Sequence, residues 1–196
     1  MNAALQSYIT RFTQLSPDET AIADRLFEPR TVKKKRSMLK AGEICDFEGY
    51  ILKGCIREYF IGPDNIEVTL EFATEDWWVS DIASFETQSK SRMFIETLED
   101  TELMVLTKEK KEELLSQVPR LERMFRLMMQ RHLTVIQNRL FDTISSTAMD
   151  RYIKFTARYP TISQRVPQQY IASYLGITAE FLSKLRTRHL RSQNTP

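Results

Sequence analysis

Polar side chains near the end of the chain are spaced so that they share one face of an α-helix. They are Glu180, Ser183, Lys184 and Thr187. A carboxylate on such a face can accept a hydrogen bond from the amino group of cytosine, and an ammonium group can donate to guanine. A hydroxyl group can serve either kind of base edge. This face therefore has the chemistry to read base pairs of double-stranded DNA.

The surrounding segment, Val166–Arg186, has the features that would hold this face outward. Ile171 and Leu175 are spaced i, i+4 on a first predicted helix, and Gly176 allows the left-handed backbone that ends it. Thr178 can cap a second helix. The further matching features are Pro167 at the start of the first helix, Ala172 as the small residue at the crossing, Ile177 as an apolar plug, and Leu182 and Leu185 on the inner face of the second helix. Together they predict a helix-turn-helix.

The residues expected to contact DNA divide into base readers and phosphate contacts. In addition to the polar residues named above, the ring of Phe181 can make an apolar contact with the methyl group of thymine. Arg186, Arg188 and Arg191 suit phosphates, which position a protein without specifying sequence. The complete predicted set is Gln168, Gln169, Thr178, Ala179, Glu180, Ser183, Lys184, Thr187 and Arg188. The alternative is a small helical bundle that binds another protein.

The net charge of +2 conceals a strong asymmetry along the 196 residues. From Pro119 onward the chain has 13 Lys and Arg against 4 Asp and Glu, a net charge of +9. The preceding residues carry 15 basic and 22 acidic groups, a net charge of −7. A basic segment joined to an acidic domain is typical of nucleic-acid binding, because Lys and Arg displace counterions from phosphates.

Composition excludes several classes of protein. The 42% apolar content suits a globular core, and no secretory leader or apolar run of about 18 residues is present, so we expect a cytoplasmic protein without a membrane partner. Cys45 and Cys55 are too few for a disulfide scaffold, and they lack the spacing of a metal site. His132 and His189 fall inside predicted helices, and no catalytic cluster or phosphate-binding glycine loop is evident. We expect neither an enzyme nor a bound cofactor.

The first part of the chain predicts two short helices between Leu5 and Phe27, followed by a β-domain. Short runs between Ser37 and Thr107 alternate with turn residues and include four of the five glycines, Gly42, Gly49, Gly54 and Gly62, where we expect turns. Such runs predict an antiparallel sandwich or barrel. The basic run Val32–Arg36 is either a charged patch for DNA or membrane or a solvated strand face.

A long helix is predicted from Pro119 to Ile144, and after it a helix from Ala148 to Tyr159. Leu121, Met128 and Val135 recur every seven residues, as in a two-stranded coiled coil. The predicted dimer interface is Leu121, Met124, Phe125, Met128, His132 and Val135. The alternative is a core helix on the β-domain, and a second apolar face, formed by Leu127, Leu133, Ile136 and Leu140, allows both. The predicted domains are a sensor at 1–117, a dimerisation helix at 118–144 and a DNA-binding domain at 145–196.

On these residues the chain resembles the Crp/Fnr family of bacterial transcription regulators. Arg165–Arg186 carries the strongest likeness, with support from Lys40–Glu43 and Ile51–Arg57. The resemblance implies an α+β fold: an antiparallel β-roll of the cyclic nucleotide-binding type (a double-stranded β-helix), a long dimerisation helix and a C-terminal winged helix-turn-helix. It further implies a homodimer on palindromic DNA, with RNA polymerase as a candidate partner. The chain ends soon after the second helix, so we expect any wing strands before that helix.

The family's cyclic AMP cassette, a Gly-Glu pair followed later by Arg and Ser or Thr, is altered here. The Gly-Glu pair is replaced by Ser80-Asp81, and the Arg-Ser order is inverted as Ser91-Arg92. Loss of the glycine removes a close backbone approach to phosphate. Asp81 and Arg92 either meet a ligand or pair with each other. Three options follow: a cyclic nucleotide, which the altered cassette disfavours, another small effector at Ser80, Asp81, Ser91 and Arg92, or none. Two cysteines also cannot supply an iron–sulfur cluster.

Overall fold

The computed structural model describes the backbone of residues 1–193 and the side chains of residues 1–188. The strands are β1 Glu28–Val32, β2 Ser37–Leu39, β3 Glu48–Lys53, β4 Ile56–Ile61, β5 Glu67–Ala73, β6 Trp78–Val79, β7 Phe94–Thr97 and β8 Thr101–Leu106. The helices are α1 Ala3–Thr10, α2 Pro17–Leu26, α3 Ile82–Thr87, α4 Lys108–Gln117, α5 Arg120–Ser145, α6 Ala148–Arg158, α7 Ile162–Arg165, α8 Gln168–Leu175 and α9 Ala179–Gln193. None of the helices within residues 1–193 has the length and apolar character of a membrane span.

Two compact units divide the chain. The first combines Met1–Phe60 with Glu71–Arg131, and the second combines Ile61–Leu70 with the chain from His132 onward. The tip of the β4–β5 hairpin therefore belongs to the second unit, although its strands continue into the first. The boundary near Arg131 lies inside α5. The domain limits expected from the sequence remain predictions.

The β-strands form two four-stranded sheets, in the orders β1-β8-β3-β6 and β2-β7-β4-β5. β8 pairs antiparallel with both β1 and β3, and β7 pairs antiparallel with both β2 and β4. Alternation along the strands directs one apolar set inward. This core contains Phe47, Ile51, Ile56, Ile95 and Leu103, all buried. Cys45 and Cys55 are both buried, and no disulfide joins them. The predicted antiparallel β-roll and α+β fold are confirmed.

A second core lies where helices cover the first sheet. Leu5 and Ile9 of α1 and Leu26 of α2 pack with Tyr50 and Leu106 of the sheet. α2 begins at a capping box, in which Ser16 accepts from the N–H of Glu19 and the Glu19 carboxylate accepts from the N–H of Ser16. Both predicted N-terminal helices are confirmed.

The first turns of α5 belong to the same core, which corrects half of the predicted dimer interface. Leu121 and Met124 are fully buried and Phe125 almost so, against α1, α2 and the sheet. A helix starting on the β-domain places its apolar residues there because this removes them from water without a partner chain. Leu121, Met124 and Phe125 are therefore unavailable to a second copy, and for them the core-helix alternative holds.

The basic run Val32–Arg36 lies mostly in the turn between β1 and β2 instead of on a strand face. The ammonium group of Lys33 lies 2.9 Å from the Asp100 carboxylate, and the backbone N–H of Lys34 donates to the same carboxylate. Lys35 adopts a positive φ of 59°, as turn residues do. The charged side chains of the run are solvated, but they lie in a turn and not on the strand face that this alternative expected.

The second unit contains α6 to α9, and in it the wing expected from the resemblance is not found. Among the described residues no strand follows Leu106. The segment before α8, where wing strands were expected, contains the short helix α7 and ends in extended backbone at Val166. The helix predicted for Ala148–Tyr159 is confirmed, with Thr147 as its N-cap.

Glycine is required at one hairpin of the roll, between β3 and β4. Gly54 has a φ of +112°, and a Cβ there would lie 2.4 Å from Thr101 Oγ1 and 2.8 Å from Thr101 Cα. Gly42 also has a positive φ, of +92°, but faces open space. The turn expected at Gly49 was wrong, because this residue lies within β3. Glycine fits there because a larger residue would press on Leu103 and Val105.

We predict that Gly54→Ala lowers the free energy of unfolding by about 3 kcal/mol, because it adds a clash with backbone to the strain of positive φ. Gly42→Ala is the matched control and should cost about 1 kcal/mol, from backbone strain alone. Urea unfolding followed by circular dichroism measures both. Equal losses in the two variants would show that Thr101 does not crowd this hairpin.

Candidate nucleic-acid interface

The turn between α8 and α9 is built around Gly176. This residue caps α8 in the left-handed region, with φ 68° and ψ 37°. The N–H of Ile177 donates to the carbonyl of Ala172 at 3.0 Å, which satisfies a carbonyl that the end of the helix would leave open. The hydroxyl of Thr178 accepts from the N–H of Phe181 at 3.2 Å and begins α9.

The inner faces of the two helices pack as the sequence pattern predicts. Ile171, Ala172 and Leu175 of α8 are buried, and so are Leu182 and Leu185 of α9. Ala172 is small, so the second helix can approach closely. Because this apolar contact fixes the rotation of α9 about its own axis, the opposite face of α9 must point to solvent.

The polar residues predicted to contact DNA from α9 are on that solvent face. Glu180, Ser183, Lys184, Thr187 and Arg188 are exposed, as are Gln168, Gln169 and Thr178. Ala179 and Arg186 are half-buried, and the ring of Phe181 is 41% exposed. The expected phosphate contact at Arg191 lies outside the described side chains. The structure thus leaves most of the predicted set exposed, and their role in binding remains a prediction.

Glu180 is held in its ionised form at the start of α9. Its pKa is lowered, first by a hydrogen bond from its own backbone N–H, then by the Thr178 hydroxyl and the nearby charge of Lys184. An ionised carboxylate is only an acceptor, so the group can pair with an amino group and not with a carbonyl. Lys184 on the adjacent turn offers only donors. The two side chains present opposite hydrogen-bonding chemistry side by side.

Arg151 ties the end of α8 to α6. Its Nε donates to the carbonyl of Leu175 at 3.2 Å, and its Nη1 donates to the carbonyl of Ser146 at 2.8 Å. The capping box of Thr147 and Asp150 fixes the start of the same helix. The turn at Gly176 is therefore supported from behind by a guanidinium group.

The remaining predicted dimer residues, Met128, His132 and Val135, are half-buried. The exposed apolar side chains of α5 lie on its second apolar face, at Leu133, Ile136, Leu140, Phe141 and Ile144. Their exposed fractions run from 49% at Ile136 to 75% at Ile144. If α5 meets a second copy, this face is the one available.

The predicted ligand residues of the roll are engaged with the protein itself. Asp81 caps α3 by accepting from the N–H of Ser84 at 3.1 Å, and it accepts from the hydroxyl of Ser91 at 2.7 Å. Ser80 donates to the carbonyl of Phe47 at 2.9 Å. Arg92 is exposed, and Asp81 pairs with Ser91 instead of with it.

Two further acids, Glu58 and Glu71, join Asp81 in the roll. Glu58 is buried on β4, and its pKa is raised, first by burial and then by the charges of Glu71 and Asp81. A backbone hydrogen bond from Ser80 opposes this shift. These two residues were not among the candidates predicted from the sequence. The available signal was alternation, since Glu58 falls on the same side of its strand as the buried Ile56.

Comparison with known proteins identifies the fold. Residues 29–118 match the cyclic nucleotide-binding domain family. FixK2 from Bradyrhizobium japonicum superposes with a TM-score of 0.72 at 17% identity, over 85% of each chain. A transcriptional regulator described as of the Crp/Fnr family, from Eubacterium rectale, gives 0.72 at 14% identity, over 95% of this chain and 88% of its own. The c-di-GMP-responsive global regulator CLP from Xanthomonas campestris gives 0.70 at 14% identity, over 91% and 93%. No curated protein matches significantly by sequence.

The chain has the Crp/Fnr fold. The resemblance drawn from the sequence is thereby confirmed at the level of the fold, and the neighbour from Eubacterium rectale is described as a transcriptional regulator.

The roll of this chain does not fit the ligand that the matched domain family implies. A cyclic nucleotide carries an anionic phosphate, which needs donors or a cation close by. Here the charged groups that act on buried Glu58 are the acids Glu71 and Asp81, and the arginine of the cassette region, Arg92, is exposed. An anion entering this interior would meet carboxyl groups.

We predict that the burial of Glu58 makes stability fall with rising pH. Because the folded state keeps a proton that the unfolded chain releases near the ordinary value of 4.5, the free energy of unfolding decreases from that pH up through the raised pKa. Glu58→Gln removes the ionisable group and should flatten this decrease, leaving the variant more stable than the parent at pH 8.

Urea unfolding between pH 4.5 and pH 8 measures the effect. Glu102→Gln, which removes an exposed carboxylate of β8, is the control and should follow the parent protein. A Glu58→Gln profile with the slope of the parent would contradict the prediction.

Proposed function

We propose that this chain is a DNA-binding transcription regulator of the Crp/Fnr type that binds palindromic operator DNA as a homodimer. In this proposal α8 and α9 form the helix-turn-helix, and α9 enters the major groove with its first turns toward the base edges. The regulator acts in the cytoplasm, where DNA and its candidate partner RNA polymerase are found. The neighbour described as a transcriptional regulator of the Crp/Fnr family and the neighbour described as a global regulator support the assignment.

One observation carries the proposal: the exposed polar face of α9 is fixed by the buried face opposite it. Glu180, Ser183 and Lys184 project from a helix whose Leu182 and Leu185 are buried. Base reading requires such rigidly presented donors and acceptors, and the net charge of +9 after Val118 supplies attraction to phosphates. A protein-binding bundle needs neither feature.

The proposed dimer uses the exposed face of α5. Leu133, Ile136, Leu140 and Ile144 follow one another at intervals of three, four and four residues, which places them in one apolar seam along the helix. A twofold axis along this seam gives two copies of α9 that meet half-sites about one helical turn apart. Palindromic DNA is the matching target.

The proposed effector is not a cyclic nucleotide. CLP is described as responsive to c-di-GMP, but the acids around Glu58 set this chain apart from a phosphate-binding roll. The fold is compatible with another small molecule as the effector in the roll, and also with the absence of any effector.

Selection of bound duplexes from a random pool tests the function. The expected product is a palindrome with half-sites about ten base pairs apart. Recovery of no preferred sequence, together with an affinity for random DNA that does not depend on salt, would favour a ligand-binding or protein-interaction module.

We predict that replacing a base reader and replacing a phosphate contact change DNA binding in different ways. Lys184→Ala or Glu180→Ala should reduce discrimination at one base position per half-site by about tenfold. Arg188→Ala should weaken binding to all duplexes alike. It should also reduce the slope of log affinity against log salt concentration by about one per protomer. Fluorescence anisotropy on selected and scrambled duplexes measures both. Lys53→Ala, an exposed lysine of the first unit, is the charge-matched control. If Lys184→Ala weakens binding to selected and scrambled duplexes equally, Lys184 does not read a base.

We predict that Leu140→Glu weakens dimerisation at least about a hundredfold, because each dimer loses two buried leucines and gains two facing charges. Sedimentation equilibrium measures the association. Asn138→Glu, at an exposed position that lies off this seam on the same helix, is the control and should remain dimeric. If Leu140→Glu has the same molar mass as the parent at micromolar concentration, the seam is not the interface.

A further inference from the structure

The outer edge of β5 is covered by side chains of two helices. β5 is the last strand of its sheet, so the backbone groups on its free side have no neighbouring strand. Such groups need other partners when they are buried. Thr69 on this strand is fully buried. The partners come from α8, the first helix of the proposed helix-turn-helix, and from α5.

Ser173 of α8 makes two hydrogen bonds with this edge. Its hydroxyl accepts from the backbone N–H of Thr69 at 2.9 Å and donates to the carbonyl of Glu67 at 2.7 Å. The side chain thus takes the place of one residue of a neighbouring strand. The two bonds use both the donor and the acceptor capacity of a single hydroxyl, which fixes its rotation as well as its position.

Arg139 of α5 holds the next part of the same edge. Its guanidinium donates to the carbonyls of Thr69 and Leu70, and to the carbonyl of Tyr174 at 3.2 Å. It also lies over the Tyr174 ring, 4.2 Å from the centroid. The fork of donors on one rigid plane allows a single side chain to join the strand edge to α8.

Tyr174 extends this contact to α6. Its ring centroid lies 5.2 Å from that of Phe155 and 6.1 Å from that of Tyr159. The hairpin tip, α5, α6 and α8 are therefore joined at one point of the second unit. α9 is fixed to α8 by the buried residues around Gly176, so its orientation depends on the same point.

We propose that Ser173 and Arg139 are positioning residues that lock the helix-turn-helix to the open edge of β5, and that sequence-specific DNA affinity depends on this lock. The inference rests on the proposed function. The lock does not cover the candidate DNA face, because Glu180, Ser183, Lys184 and Arg188 are exposed while it is closed. Its role is to order α9 in advance and not to inhibit it.

A lock of this kind affects specific and non-specific binding differently. Two copies of α9 must match two half-sites at a fixed spacing, so loose attachment costs affinity for the operator. Non-specific binding depends on the number of phosphate contacts and tolerates small changes of orientation. Loss of the lock therefore lowers the ratio of operator to non-specific affinity, whereas partial unfolding lowers both in proportion.

The test compares Ser173→Ala with Ser173→Thr, which keeps the hydroxyl, and with Ser116→Ala. Ser116 lies on α4 and donates only within its own helix, to the carbonyl of Glu113, so it is the matched control. Operator affinity, measured on the duplex selected from the random pool, should fall about tenfold in Ser173→Ala. Affinity for a scrambled duplex should stay within about twofold. Ser173→Thr should restore most of the loss, and Arg139→Lys should resemble Ser173→Ala.

Hydrogen exchange at the Thr69 amide provides a readout that needs no DNA. Protection should fall in Ser173→Ala and return in Ser173→Thr, with the melting temperatures of all variants showing that each is folded. If the parent protein binds no DNA, the proposed function fails while the exchange data still decide whether the lock exists. Unchanged Thr69 protection in Ser173→Ala would overturn the lock. Lost protection with an unchanged affinity ratio, or with a higher operator affinity, would overturn its positioning role.

Discussion

The candidate interface depends on the left-handed turn at Gly176. A side chain at this position would add strain, and without the reversal α9 could not place Leu182 and Leu185 against Ile171 and Leu175. Once that apolar contact forms, the rotation of α9 about its own axis is fixed, so the residues on its opposite face must point to solvent. The exposed set around Glu180 and Lys184 is thus a consequence of packing on the other side of the helix.

The same principle explains the long helix α5. Its first turns carry Leu121, Met124 and Phe125 into the core of the first unit, and its later turns expose Leu133, Ile136, Leu140 and Ile144. A helix that is apolar on different faces along its length can pack against one surface with its first turns and against another with its later turns. The intramolecular core takes one face, because that contact carries no cost of association, and the other face remains exposed.

The roll keeps the architecture of a cyclic nucleotide-binding domain but has different chemistry inside. Asp81 caps α3 and pairs with Ser91, and Glu58 is buried near two other acids. The roll therefore contains acids that do not suit a cyclic phosphate. Architecture is preserved by apolar alternation along the strands, whereas ligand chemistry depends on a few polar positions that can change without loss of the fold.

The sequence by itself determined the elements whose signals are local. Gly176 with its flanking apolar residues predicted the α8–α9 turn, capping residues predicted the starts of α2 and α6, and alternation predicted the roll. Tertiary structure decided which apolar face of α5 is buried, because periodicity describes both faces equally and only packing against the sheet distinguishes Leu121 from Leu140. It also decided the partners of Ser173 and Arg139, since hydrogen bonds between residues about 70 to 100 positions apart leave no periodic trace in the chain. The acids that surround Glu58 were likewise brought together only by the folded roll.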